Sequence, residues 1–138
     1  MPLKLMYITN NPVIAAIAES CGVDRVFVDM EYIGKEARQS GLDTVKSHHT
    51  VEDVKRVRQV LNKTELLVRI NPIHENTKQE IDNVVDAGAD IIMLPMAKTV
   101  DEVKTFVKLV NGRCKTMLLL ETAEARENIK SMLDAGGI

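Results

Sequence analysis

Leu66-Leu67-Val68-Arg69-Ile70-Asn71-Pro72 places one cation inside a run that otherwise reads as buried β-strand. A strand apolar on both faces belongs to a parallel sheet covered by helices. Asn71-Pro72 ends it, because proline cannot donate to a strand ladder. A guanidinium in such a place needs an anion, since a buried charge left without its partner costs roughly 3–5 kcal/mol. Arg69 therefore either pairs with an internal carboxylate or meets a ligand's carboxylate.

On both sides of this stretch the chain alternates between strand and helix patterns. Lys4–Ile8 is a short apolar run closed by Thr9-Asn10-Asn11-Pro12, where asparagine can cap and Pro12 can sit in a first helical turn. Ile14, Ile17, Ala18 and Cys21 then recur at helical spacing as an apolar stripe, with Gly22 as the stop. Arg25–Met30 is a second strand, running into Asp29-Met30-Glu31-Tyr32. Ile33–His49 is polar and aperiodic, a candidate functional loop. Thr50 can cap a helix whose buried side is Val51, Val54, Val57 and Leu61, with Asp53 in place of the usual Glu or Gln of a capping box.

After the Leu66 strand, a helix is predicted over about Thr77–Ala87, with Ile81, Val84 and Val85 inward and Gly88 ending it. Asp90–Leu94 is the fourth strand, closed by Pro95. Thr99-Val100-Asp101-Glu102 is a full capping box, and Val103, Phe106, Val107 and Val110 form the core face of the helix it opens. Thr116–Leu120 is the fifth strand and runs into Glu121-Thr122. A last helix covers about Ala123–Asp134, and Ile138 would begin a sixth strand.

Composition excludes several classes of function. At 138 residues, 45% hydrophobic and 28% charged, the chain can bury a core, and a single domain over residues 1–138 is expected. A net charge of -2, with cations and anions interleaved, gives no footprint for nucleic acid. No apolar run approaches the roughly 20 residues of a membrane span, and the first residues lack a signal peptide's core, so a cytoplasmic protein is expected. Cys21 and Cys114 stand apart in apolar surroundings, without metal-ligand spacing, as buried packing thiols.

Strand and helix in alternation predict an α/β fold with a parallel sheet. It is either an open doubly wound sheet or the first five βα units of a (β/α)8 TIM barrel, whose full length is typically about 250 residues. Neither glycine-rich phosphate loop of the open-sheet folds occurs. The polar residues favour the barrel. The strand ends that would share one mouth carry Asn10, Asp29 and Glu31, Arg69 and Asn71, Pro95, and Glu121, whereas the opposite joints carry Asp24, Lys63, Asp90 and Lys115, read as ordinary solvating residues. Helix capping accounts for asparagines at such ends, but not for Arg69 or Glu121.

Asp29-Met30-Glu31, Val68-Arg69-Ile70-Asn71-Pro72, Ala87-Gly88-Ala89-Asp90-Ile91-Ile92-Met93-Leu94-Pro95 and Leu120-Glu121-Thr122 together resemble, in order and spacing, the HpcH/HpaI aldolase and citrate lyase β-subunit family. The resemblance spans nearly the whole chain. It implies a phosphoenolpyruvate/pyruvate-type barrel that uses Mg²⁺ or Mn²⁺ to form or cleave a carbon–carbon bond beside a carbonyl, in a 2-keto acid or an acyl-CoA thioester, through a metal-stabilised enolate. By position, Glu121 resembles one of the family's two carboxylate metal ligands. Arg69 resembles the arginine that holds the substrate and balances enolate charge. Asp29 and Glu31 resemble the acidic pair near the metal's water shell, the alternative being a salt bridge to Arg69 or Lys98. Pro95 falls at the substrate-binding strand end. A homo-oligomer is implied as well.

Two departures separate the chain from the aldolase branch. Tyr32 stands where that branch has a histidine base, and Leu119 where it has glutamine, which leans toward the citrate-lyase-like branch. Proton transfer then falls to Tyr32 or to His48 or His49, in the loop feeding the same mouth, with His74 no better placed. Adjacent histidines before a helix also serve as caps or surface residues. The family's second metal carboxylate belongs to the sixth strand, beyond Ile138. The chain is accordingly expected to be a fragment, or part of an assembly completed by another chain, inactive alone and with exposed edges on its first and last strands. Two other readings compete: a non-catalytic or repurposed barrel, suggested by Tyr32, and a receiver-like signalling domain, which would need clustered acids where Asn10-Asn11 stand.

Overall fold

The computed structural model describes residues 3–34 and 48–138. Its elements, in chain order, are β1 (Met6–Ile8), α1 (Pro12–Ser20), β2 (Arg25–Asp29), α2 (Val51–Arg58), β3 (Glu65–Arg69), α3 (Thr77–Asp86), β4 (Ile91–Leu94), α4 (Val100–Val110), β5 (Lys115–Leu118) and α5 (Ala123–Asp134). Most of the loop expected over Ile33–His49 lies outside the described residues.

The five strands are all parallel and stand side by side in sequence order. An order without reversal has no switch point, which sets it apart from a doubly wound sheet. One face carries Val26, Val28, Leu66, Val68, Ile70, Ile92 and Leu94, which pack in a single cluster with the helical residues Ala15, Ala18, Val54, Val57, Ile81, Val84, Val103, Phe106, Val110, Ala125 and Met132. The other face has a separate cluster of strand residues only: Phe27, Leu67, Ile91 and Met93, with Met117 and Leu119 against them. All the described helices thus lie on one side, the arrangement of a barrel wall seen from inside and outside.

The inner face is layered by register. Arg25, Glu65 and Lys115 form its lower end, where Glu65 pairs with Arg25 Nε at 3.1 Å and with Lys115. The apolar cluster is the middle. Asp29 and Arg69, which are register partners, form the upper end. Among the described residues β1 and β5 each pair along one edge only, and Met6, Tyr7 and Ile8 are about half exposed.

Helix starts follow the expected chemistry. Asn11 Oδ1 accepts from the Val13 and Ile14 amides, and Thr99 with Glu102 closes a capping box. Thr50 with Asp53 closes one too, so the shorter acid serves. Gly88 ends α3 at φ +95°, and a Cβ there would lie 2.9 Å from Arg58 Cγ, so a side chain is excluded on both counts.

Two expectations change. The stripe on α1 is rotated: Ala15 and Ala18 are buried, while Ile14, Ile17 and Cys21 are exposed. The rotation follows from both ends of the helix, Asn11 at its start and Glu19 near its finish. The Glu19 carboxylate accepts from the backbone amides of Asn62, Lys63 and Thr64 at 2.9, 2.7 and 2.8 Å. Of the two cysteines only Cys114 is partly buried, and burial raises its thiol pKa.

The joints opposite the mouth also do more than solvate. Asp90 Oδ2 accepts from Arg58 Nη1 at 2.7 Å and from the Leu66 amide at 2.8 Å. Asp24 accepts from Lys4 and from the Leu5 amide.

The Glu19 staple yields a prediction. The Thr64 and Lys63 amides, ahead of the other contacts, hold its carboxyl down to about 2 from 4.5. A depressed acid contributes stability that is present above pH 4.5 and lost as pH falls toward about 2. Glu19→Gln should lower the thermal midpoint by several degrees at pH 7 and flatten the acid limb of the stability curve. An unchanged acid limb in that variant would remove Glu19 as its cause.

Candidate active site

The upper ends of β2 and β3 bring together two carboxylates and one guanidinium. Strand alternation puts Phe27, Asp29, Leu67 and Arg69 on the inner face, and pairing of Asp29 with Arg69 sets the acid beside the base. Arg69 donates from Nε to Asp29 Oδ1 and from Nη2 to Asp29 Oδ2, both at 2.8 Å, the two-pronged geometry that suits this pair. Glu31 Oε2 lies 3.4 Å from Nε. The Arg69 side chain is 16% exposed, Asp29 5% and Glu31 2%. Its guanidinium also lies 5.5 Å above the Phe27 ring.

Burial works against the charged form of Arg69, but the hydrogen bonds and charge of Asp29 outweigh it. Glu31 and Glu121 add to this, so its pKa is held above the ordinary value. Glu121 thus faces the same rim as Arg69, from beyond β5. It is exposed, and its Oε1 accepts from the Met96 amide at 3.1 Å. Met96 follows the buried Pro95 and takes a left-handed φ of 53°. That conformation is strained for a side chain without a local polar group, and it presents the amide to Glu121. Thr122 Oγ1 donates to Ala97 O at 3.3 Å, a second tie between these loops.

Arg69 therefore has the internal carboxylate that its strand position called for, and Asp29 and Glu31 pair with it rather than with the exposed Lys98. Nη1 has no hydrogen-bond partner among the described residues. Tyr32 is 63% exposed, and its backbone amide, like that of Ile33, donates to Asn71 Oδ1 at 2.9 Å. His48 is exposed, whereas His49 reaches the site: its Nδ1 accepts from the Asp29 amide at 2.9 Å. His74, in the loop after β3, is engaged locally, with Nδ1 3.0 Å from Pro72 O and from Thr77 Oγ1.

Sequence reasoning gave no role to Met96 or Glu80, and weighed His49 only together with His48. Glu80 Oε1 accepts from Asn71 Nδ2 at 2.7 Å and from the Asn71 amide at 3.1 Å. The single signal in the sequence was a Glu in the first turn of a helix starting a few residues after Asn71. For a divalent cation, the described residues supply one hard carboxylate with an oxygen to spare, Glu121. They contain no cluster of three His, Cys, Asp or Glu side chains able to hold a metal. Among the described residues no helix is long and apolar enough to cross a membrane.

A five-stranded arc of parallel βα units, with ionisable groups gathered at the C-terminal strand ends, defines an α/β protein of the TIM-barrel class. The chain belongs to the HpcH/HpaI aldolase/citrate lyase family, whose sequence profile matches residues 4–138. Among solved structures it is similar to an HpcH/HpaI aldolase from Desulfitobacterium hafniense DCB-2, at 17% identity and a TM-score of 0.74 over 98% of this chain and 60% of that one. An HpcH/HpaI aldolase/citrate lyase family protein from Burkholderia cenocepacia J2315 gives 16% and 0.73, with 98% and 60% covered. A phosphonopyruvate hydrolase in complex with oxalate and Mg²⁺ gives 15% and 0.67, with 98% and 56% covered. At these identities the likeness is one of fold, that of a partial TIM barrel. The chain spans about 60% of the length of the first two of these structures. No curated protein matches it by sequence. The family is of lyase type.

Proposed function

We propose that the chain carries part of the active site of a divalent-metal-dependent carbon–carbon lyase, of aldolase or citrate-lyase-like type, acting on a 2-keto acid or an acyl-CoA thioester. In this reading residues 1–138 form one domain that supplies β1–β5 of a barrel, and further βα units cover the free edges of β1 and β5. The observation that supports it is that Glu121, held by the Met96 amide just past β4, lies at the same end of the sheet as Arg69 and its two buried acids.

Asp29 occupies Nε and Nη2 of Arg69 and so fixes the fork, leaving its Nη1 side for a substrate oxygen. There the guanidinium balances charge that develops on the carbonyl oxygen. Glu121 would be one ligand of Mg²⁺ or Mn²⁺, with substrate oxygens among the others. Bound there, the cation supplies Lewis-acid polarisation of the carbonyl. Glu31 and Asp29 would bind water beside it, Pro95 walls the substrate, and Tyr32, His48 or His49 moves the proton. The presence of Tyr32 at the expected base position and the full pairing of Asp29 with Arg69 favour one second reading, a barrel of this family that has lost catalysis.

Calorimetric titration of Mg²⁺ into the full-length protein, its barrel complete, with and without oxalate, separates the two. A lyase site shows mutual tightening, because two ligands that share a site couple reciprocally. Glu121→Gln should weaken Mg²⁺ binding by at least about tenfold, or 1.4 kcal/mol. Binding that is absent, or that is indifferent to oxalate and to this substitution, supports the second reading.

A further inference from the structure

Asn71 and Glu80 take no part in the reaction proposed above, yet they form the tightest polar link between α3 and the acidic strand end. Asn71 is 2% exposed and follows β3. Its Nδ2 and its backbone amide both donate to Glu80 Oε1, and its Oδ1 accepts from the amides of Tyr32 and Ile33. With Oε1 accepting from both, Glu80 holds the NH₂ end of the Asn71 amide toward itself and the carbonyl end toward the Tyr32 and Ile33 amides. Reversing the amide would set N–H against N–H at the Tyr32 and Ile33 amides and oxygen against oxygen at Glu80. Glu80 Oε2 is buried and, among the described residues, has no hydrogen-bond partner, with His74 Nδ1 4.0 Å away. Such a costly placement is tolerated where a neighbour's orientation depends on it.

The clamp acts one residue beyond Glu31. On its other side Glu31 is tied through its own amide to Asp29 Oδ1 at 3.2 Å. The Glu31 carboxylate is thereby located from both directions, by the Arg69–Asp29 pair and by the Asn71 amide.

We infer that Asn71, oriented by Glu80, is the positioning residue that sets the Glu31 carboxylate beside Arg69 and so tunes affinity for the metal-dependent ligand. This rests on the functional reading above. The test is a two-residue exchange in the full chain. Asn71→Asp sets a carboxylate against Glu80 and breaks the clamp. Glu80→Gln keeps the acceptor and should be near neutral. The double variant N71D/E80Q restores a donor to the pair, since the introduced glutamine can donate to the introduced aspartate, whose other oxygen still accepts the two amides.

Hydrogen exchange at Tyr32 and Ile33 should rise at least about tenfold in N71D, with the β4 amides unchanged, and should recover in N71D/E80Q. Mg²⁺-dependent oxalate affinity should fall and recover in step. Glu80→Ala, which leaves Asn71 in place, should give the same pair of changes and serves if N71D does not fold. Wild-type binding with N71D or E80A unaltered overturns the positioning role alone, as does faster exchange without a change in affinity or a double variant that fails to recover. A wild-type chain that binds neither Mg²⁺ nor oxalate overturns the functional reading first, and this one with it.

Discussion

Arg69→Met is expected to lower the unfolding free energy by about 3–5 kcal/mol, the cost of leaving one side of a buried pair without its partner. Asp29 and Glu31 are almost fully buried, and the fork of Arg69 supplies two charge-assisted hydrogen bonds to Asp29. Methionine fills much of the space but donates nothing. The loss therefore comes from buried carboxylates that have lost their cation rather than from a cavity, and it should be partly reversed in Arg69→Met/Asp29→Asn, where one charge is gone. Urea unfolding of the three proteins measures this directly, with equal denaturant slopes as the check on comparability. A cost under about 1 kcal/mol would be that of an exposed pair, and would mean that the rim is wetter than the burial of these side chains shows.

Phe106→Ala should cost about 3–5 kcal/mol by a different route. Phe106 is wholly buried on the core face of α4, against the helix side of the sheet. Truncation removes a ring from a packed interior, and the loss should not vary with salt or with the charge state of the rim. Set against a total stability of about 5–15 kcal/mol for an ordinary domain, it would leave the chain marginal. A cost near that of a surface change, about 0.5 kcal/mol, would show that α4 is not seated on the sheet as described. Measuring both variants in low and high salt separates the two mechanisms, because only the Arg69 effect is electrostatic.

Local pattern carried most of the fold. Val103, Phe106 and Val110 stand at helical spacing behind a capping box, and they are core residues of a helix starting where the box puts it. Leu66, Leu67 and Val68 read as buried on both faces, and they are. Ile14 and Ile17 are exposed where their spacing with Ala18 read as a core stripe, while Glu19 of the same helix grips Asn62–Thr64, a contact far along the chain that periodicity cannot show.

The candidate site divides in the same way. Arg69, Asp29, Glu31 and Glu121 stood out as ionisable groups at apolar strand ends, although which acid Arg69 pairs with required the strand register. His49 could not be told from His48, since only a turn of backbone decides which ring meets the Asp29 amide. Met96 gave no sign, because a left-handed methionine looks like any other in sequence.

The three storeys of the inner wall carry a last consequence. Between the salt-linked floor of Arg25, Glu65 and Lys115 and the rim of Asp29 and Arg69 lies a dry band of Phe27, Leu67, Ile91 and Met93. Ions and water do not cross such a band cheaply. Along this stretch of wall the charges of the rim are thereby insulated from those of the floor, and a change at one end is not felt electrostatically as a direct contact at the other.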